Sequence, residues 1–122
     1  MKIYYAHHLW KYNTKIEEYE ISLIKKYLPN YNIINPNGSI IQGRPEDIIM
    51  IDCLKAIEDC DALVFSSMDG VVGHGVVDEV NHAIKLHKDV YYITNNKIIF
   101  IDKIKWNVIN ENNRIYATIE IN

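Results

Sequence analysis

Residues 61–83 read Asp61-Ala62-Leu63-Val64-Phe65-Ser66-Ser67-Met68-Asp69-Gly70-Val71-Val72-Gly73-His74-Gly75-Val76-Val77-Asp78-Glu79-Val80-Asn81-His82-Ala83. The stretch from Asp61 to Ser66 is nearly continuous in apolar character, the pattern of a parallel strand buried on both faces. A turn with three glycines follows, and then a segment of helical character from about Gly75 to His87. Strand, glycine-rich turn and helix in that order belong to a βαβ unit and point to a parallel sheet.

The flanks extend the pattern. Ile3 to Ala6 reads as a short buried strand. Thr14 is a helix N-cap, with Glu17 placed as its capping-box partner. Ile16, Tyr19, Ile21 or Leu23, Ile24, Tyr27 and Leu28 then keep a helical period until Pro29. Tyr31 to Ile34 forms a second strand, closed by the turn signal Asn35-Pro36-Asn37-Gly38. Residues 39–46, with Gly43 and Pro45, read as a loop. A second helix covers about 47–59, with Ile48, Ile51, Leu54 or Lys55, and Ile57 facing inward. Val90 to Ile93 is a fourth strand. The alternation over residues 1–95 predicts an α/β fold, a Rossmann/flavodoxin-like three-layer doubly wound parallel sheet. Residues 96–122 change character. The runs Lys97–Asp102, Ile104–Ile109 and Arg114–Ile121, separated by Asn-rich turns, predict a C-terminal β extension, antiparallel or an edge hairpin. A length of 122 residues fits one domain.

Bulk properties narrow the function. A formal charge of −3 and scattered basic residues argue against a nucleic-acid polymer as partner. No apolar run is long enough to span a membrane, and no signal peptide precedes Lys2-Ile3-Tyr4-Tyr5-Ala6. Cys53 and Cys60 lie seven apart in one helix, too far along its axis for a disulfide, and read as reduced core residues of a cytoplasmic protein.

In a doubly wound sheet the ligand sits where the strand order reverses. With the order 2-1-3-4, two loops face each other there: Tyr5-Ala6-His7-His8 after the first strand, and the quoted turn after the third. Gly73-His74-Gly75 offers backbone N–H groups to an anion at a helix start, or simply marks a tight turn. Asp78 and Glu79, expected in the first helical turn, either complement the macrodipole or put Glu79 in the crevice as nucleophile or acid–base group. His7 and His8, being adjacent in an extended segment, point opposite ways, so at most one faces the crevice. The five histidines show no metal-ligand spacing, so no metal is expected.

Asp61-Ala62-Leu63-Val64, the glycine-rich turn, Glu79-Val80-Asn81-His82-Ala83 and Lys88 together resemble the nucleoside 2-deoxyribosyltransferase superfamily, which includes a 2′-deoxynucleoside 5′-phosphate N-hydrolase branch. The opening strand and Asn35-Pro36 are similar as well, so the resemblance covers about residues 2–93. It implies chemistry at the N-glycosidic bond of a nucleoside or its 5′-monophosphate, with no cofactor and with Glu79 as the nucleophile on the anomeric carbon. The family's acidic or serine position six residues earlier is Gly73 here, which leaves Asp69 or His74 to stand in. A further family aspartate counts to Cys53, with Asp52 beside it. The catalytic candidates are therefore Glu79 and Asp69. The substrate-binding candidates are Tyr4, Tyr5, Ala6, His7, His8, Asp52, Ser66, Gly70, Gly73, His74 and Gly75. The alternative on the same fold is a non-catalytic module that senses or sequesters a nucleotide derivative. The resemblance, with apolar Ile98, Ile99, Phe100 and Trp106 in the tail, also implies a homodimer or higher even-numbered assembly.

Overall fold

The computed structural model describes residues 1–39, 45–112 and 114–121. The loop expected over 39–46 lies for its greater part, 40–44, outside the described residues. Strand β1 (Lys2–Ala6) leads through a 3-10 turn at Leu9–Lys11 into helix α1 (Lys15–Tyr27) and strand β2 (Asn32–Ile34). A short helical turn α2 (Pro36–Ser39), broken at Asn37 and Gly38, precedes α3 (Glu46–Glu58) and β3 (Ala62–Ser66). Strand β4 (Val71–Gly73), helix α4 (His74–Lys85) and strands β5 (Asp89–Thr94), β6 (Lys97–Ile101), β7 (Ile104–Glu111) and β8 (Arg114–Ile121) complete the chain.

The architecture is mixed α/β. Five strands form one sheet in the order β2-β1-β3-β5-β6, parallel except for β6, which runs antiparallel along β5. Alternation along β1 and β3 divides the core. Ile3, Tyr5, Ala62 and Val64 join Leu23 and Ile24 of α1 on one face. Tyr4, Ala6, Leu63 and Phe65 join Cys53 and Ile57 of α3 and Val76, Val80 and Ala83 of α4 on the other. The order reverses between β1 and β3, so their carboxyl ends diverge into different loops. The tail is built from β6 at the sheet edge and the β7–β8 hairpin, whose β8 pairs with β4 in a second, three-stranded sheet.

Two helices turn differently from their expected period. The buried face of α1 is Glu17, Glu20, Leu23 and Ile24, while Ile16, Tyr19 and Tyr27 are exposed. Carboxylates take core positions there because buried donors meet them, as described below. Thr14 caps α1 by accepting from the Glu17 N–H at 3.3 Å, but the Glu17 side chain does not close a capping box. In α3 the inward positions are Cys53 and Ile57, flanked by Ile49 and Leu54, and Ile48 and Ile51 are exposed. In the tail, Ile98, Ile99 and Trp106 pack against the cores and Phe100 alone of the four is exposed.

The quoted turn contains structure that its glycines concealed. Met68 and Val71 exchange two backbone hydrogen bonds, at 2.9 and 3.0 Å. Asp69 (φ 52°) and Gly70 (φ 84°) form the two left-handed central residues of a tight hairpin. Val71–Gly73 then pairs with Ala117, Thr118 and Tyr116 as β4. The hairpin β7–β8 is thereby fastened to the segment that starts α4.

Candidate functional site

Tyr4 and Tyr5 are consecutive in β1, so their rings leave opposite faces of the sheet, and each ends on a buried glutamate. The Tyr4 hydroxyl donates to a Glu79 carboxylate oxygen. Glu79 stands within the apolar stripe of α4, between Val76 and Val80, and is 7% exposed. The helix begins at His74 with Gly73 as its N-cap, which makes Glu79 the sixth helical residue and Asp78 the fifth. That corrects the expectation of two first-turn carboxylates. The macrodipole's influence is confined to the first turn, so it does not explain Glu79.

Burial pushes the Glu79 carboxyl up to about 7; the neighbouring Asp78 adds to the rise, and the Tyr4 hydrogen bond opposes it by favouring the ionised form. Among the described residues no basic side chain pairs with Glu79. A buried acid with one neutral donor and no counter-charge can exchange a proton near neutrality and, when ionised, is a poorly solvated base or nucleophile.

Glu79 forms part of the wall of a cavity of about 240 Å³. Tyr4, His7, His8 and Tyr12 line it from β1 and the segment after it, Ile49, Met50 and Cys53 from α3, and Gly73, His74, Gly75 and Val76 from the start of α4. No side chain caps that helix start, which leaves backbone N–H groups at the cavity wall. The cavity lies beyond the carboxyl end of β1, beside the reversal of strand order. Burial, chiefly, pushes the Cys53 thiol up to about 11, so it stays protonated at neutral pH and does not act as a thiolate.

The glycines have particular reasons. A Cβ on Gly73 would stand 3.2 Å from His8 Cδ2 and one on Gly75 3.4 Å from Met50 Cε. Gly73 therefore admits the His8 ring beside the helix start. The Nδ1 atom of His8 accepts the Trp10 backbone N–H at 3.1 Å. Burial first, then Lys11 and His7, hold the ring's pKa below its ordinary value. The neutral ring thus carries its proton on Nε2.

Of the candidates named from sequence, Tyr4, His7, His8, Gly73, His74, Gly75 and Glu79 are brought together at this cavity. His7 and His8 both contribute to the lining, but their rings part as expected: His8 stands beside Gly73 at the cavity, while His7 stacks on Tyr5. Ala6 is buried in the core of the same face. Asp52 is half-buried on α3 and is not among the cavity's lining residues. Asp69 is exposed at the hairpin tip with Gly70, and it lines a different hollow beside Trp10, Lys11 and Glu20. It is therefore not brought together with Glu79, because the Asp-Gly pair is committed to the turn.

Tyr5 and Ser66 belong to a second polar cluster on the opposite face. Tyr5 Oη and Ser66 Oγ donate to Glu20 Oε1 at 2.5 and 2.8 Å, and Lys11 Nζ reaches Glu20 Oε2 and Ser66 Oγ at 2.9 Å. His7 stacks on the Tyr5 ring at 3.7 Å, and its Nε2 lies 2.7 Å from Glu17 Oε2. Burial works against the Glu17 carboxylate, but His7, the Asn13 N–H and Asn37 outweigh it and hold its pKa low. Sequence reading missed Lys11, Glu17, Glu20 and Tyr12. The signal available was a carboxylate at a core position of a helical stripe, which marks Glu17 and Glu20 as it marks Glu79.

Among the described residues, no group of three or more His, Cys, Asp or Glu side chains could hold a metal ion, and no helix is long and apolar enough to cross a membrane. Comparison of the chain with protein-family models, with curated proteins and with solved structures finds no match.

Proposed function

We propose that the protein cleaves or transfers the N-glycosidic bond of a nucleoside or its 5′-monophosphate, with Glu79 as the nucleophile. The observation that carries this reading is the Glu79 carboxyl itself, buried against Tyr4 in the wall of a cavity, with no counter-charge on it among the described residues. The resemblance of Asp61–Val64 and Glu79–Ala83 to the nucleoside 2-deoxyribosyltransferase superfamily supports it, and on that reading the sheet is a Rossmann-like doubly wound one. The ionised carboxylate attacks the anomeric carbon as the carbon–nitrogen bond breaks. The base takes a proton from solvent as it leaves, and water or a second base then displaces Glu79 from the sugar and gives its own proton to solvent. The ordered N–H groups at the start of α4 hold an anionic substituent of the sugar.

The second reading is a binding module on the same fold. It is favoured by one observation: neither Asp69 nor Asp52 lines the cavity, so Glu79 is its only Asp or Glu side chain among the described residues.

The test is incubation with each deoxynucleoside and each monophosphate, with and without a free acceptor base, followed by chromatography. Base release or exchange that falls by at least about a thousandfold in Glu79→Gln is the expected result. The rate should rise with pH through about 7, as a nucleophile with that pKa requires; a rate that falls over the same range would make Glu79 an acid instead. No turnover, with a thermal shift by one of the nucleotides, would establish the binding module. A homodimer or larger assembly is proposed with this function, and a monomer by light scattering at micromolar concentration would overturn that part.

A further inference from the structure

The cavity over Glu79 is not closed on its outer side. His8, Leu9, Gly73 and His74 also line a groove of about 700 Å³, whose far wall is Arg114, Ile115 and Tyr116 of β8. The inner space of about 240 Å³ is below the range of roughly 300–1,000 Å³ usual for sites that enclose a whole drug-sized ligand, and the outer groove is within it. A ligand that fills both is therefore larger than one that reaches only Glu79.

The groove's lining mixes polar, charged and apolar side chains. At the neck, His8 presents Nε2–H, fixed by the Trp10 backbone N–H on its other nitrogen. On the β8 wall, Arg114 supplies a guanidinium. Glu111 faces Arg114 in the hairpin register, but it takes the Tyr116 hydroxyl at 3.3 Å, and no described carboxylate is in ion-pair distance of Arg114. The rest of the lining is apolar Met68, Val71 and Ile115 and the rings of Trp10 and Tyr116. Trp10 is 68% exposed although its ring and that of His8 meet edge to face with centroids 4.8 Å apart. A donor, a cation with no carboxylate partner among the described residues and an open aromatic face in one groove match a phosphate linkage and a second base: guanidinium binds phosphate through several parallel N–H donors, and an exposed ring stacks on any base.

We infer that the groove holds the second half of a dinucleotide whose first nucleoside sits over Glu79, with Arg114 on the bridging phosphates and Trp10 against the outer base. This rests on the glycosidic reading of Glu79 for the orientation of the ligand, and on the groove alone for its size.

The test is calorimetric binding to full-length Glu79→Gln protein, which prevents turnover, with nicotinamide adenine dinucleotide and nicotinamide mononucleotide as probes. The dinucleotide should bind at least about tenfold more tightly, and adding Arg114→Gln should remove most of that advantage while leaving the mononucleotide unchanged. Trp10→Ala should act in the same selective way. Equal affinities, no binding of either probe, or an Arg114→Gln effect shared equally by both probes would overturn the inference. Base release from mononucleotides without a dinucleotide preference would reject the groove and keep the glycosidic reading. An Arg114-dependent preference with no base release from any nucleoside, mononucleotide or dinucleotide would do the reverse.

Discussion

The two faces of the sheet treat the same pair of residues, a tyrosine and a glutamate, in opposite ways. On the α1 face, Glu20 meets Tyr5, Ser66 and the ammonium of Lys11, and nearby Glu17 meets His7 and Asn37. On the α4 face, Glu79 has, among the described residues, only Tyr4 and an open cavity. A buried carboxylate supplied with donors and an opposite charge is part of the framework. One left with a single neutral donor beside open space is destabilised in its charged form, and that instability is available to a reaction or a ligand. The contrast lies in the partners, since both glutamates are almost equally buried.

The contrast is broken most forcefully from the framework side. Lys11→Met leaves Glu20 buried without its cation and should lower stability by about 3–5 kcal/mol in urea denaturation at pH 7. Adding Glu20→Gln should restore part of the loss. A change below about 1 kcal/mol would place the Lys11–Glu20 pair among interactions of surface strength.

The opposite sign is expected for Glu79. Its folded pKa, about 7, is above the ordinary 4.5, so the folded state binds the extra proton between those values and stability is lost as pH rises through them. Glu79→Gln removes that loss. It should stabilise the protein by about 3 kcal/mol above pH 7 and by almost nothing near pH 4.5, read as the difference between two melting curves across pH. Glu17 runs the other way: its depressed pKa contributes stability above 4.5 that is lost as pH falls below it.

The smallest effect separates the two tyrosines. Tyr4→Phe removes the hydrogen bond that favours ionised Glu79, so the acid limb of the pH–rate profile should move up by about one unit. Tyr5→Phe should leave that limb in place and lower stability by about 1.5–3 kcal/mol, the range for a hydrogen bond to a charged group. Equal movement of the limb in both variants would erase the distinction between the faces.

Much of the sheet was legible because short apolar runs such as Ala62–Phe65, bounded by polar and turn residues, have the length of a buried strand rather than of a helix. The tail's strands were legible from their Asn-rich breaks. Strand β4 was not, because Val71–Gly73 looks like a glycine turn until β8 arrives from more than 40 residues away to pair with it. The helix faces were misread for a related reason. Ile16, Ile48 and Ile51 attract an inward assignment, yet α1 buries Glu17 and Glu20, whose partners Lys11 and His7 are brought near only by the fold. Glu79 was legible as a candidate and Asp69 misleadingly so, since an Asp-Gly pair is first of all a hairpin turn. What no pattern supplies is which buried carboxylate has a cation.

The most direct measurement is a carbon-13 NMR titration of protein labelled at the glutamate carboxyl carbons, with Glu79→Gln to assign the signal. A Glu79 midpoint near 7 is the predicted result. A midpoint at the ordinary carboxylate value of about 4.5 would mean that Glu79 is solvated or paired after all, and the difference between the two faces would disappear with it.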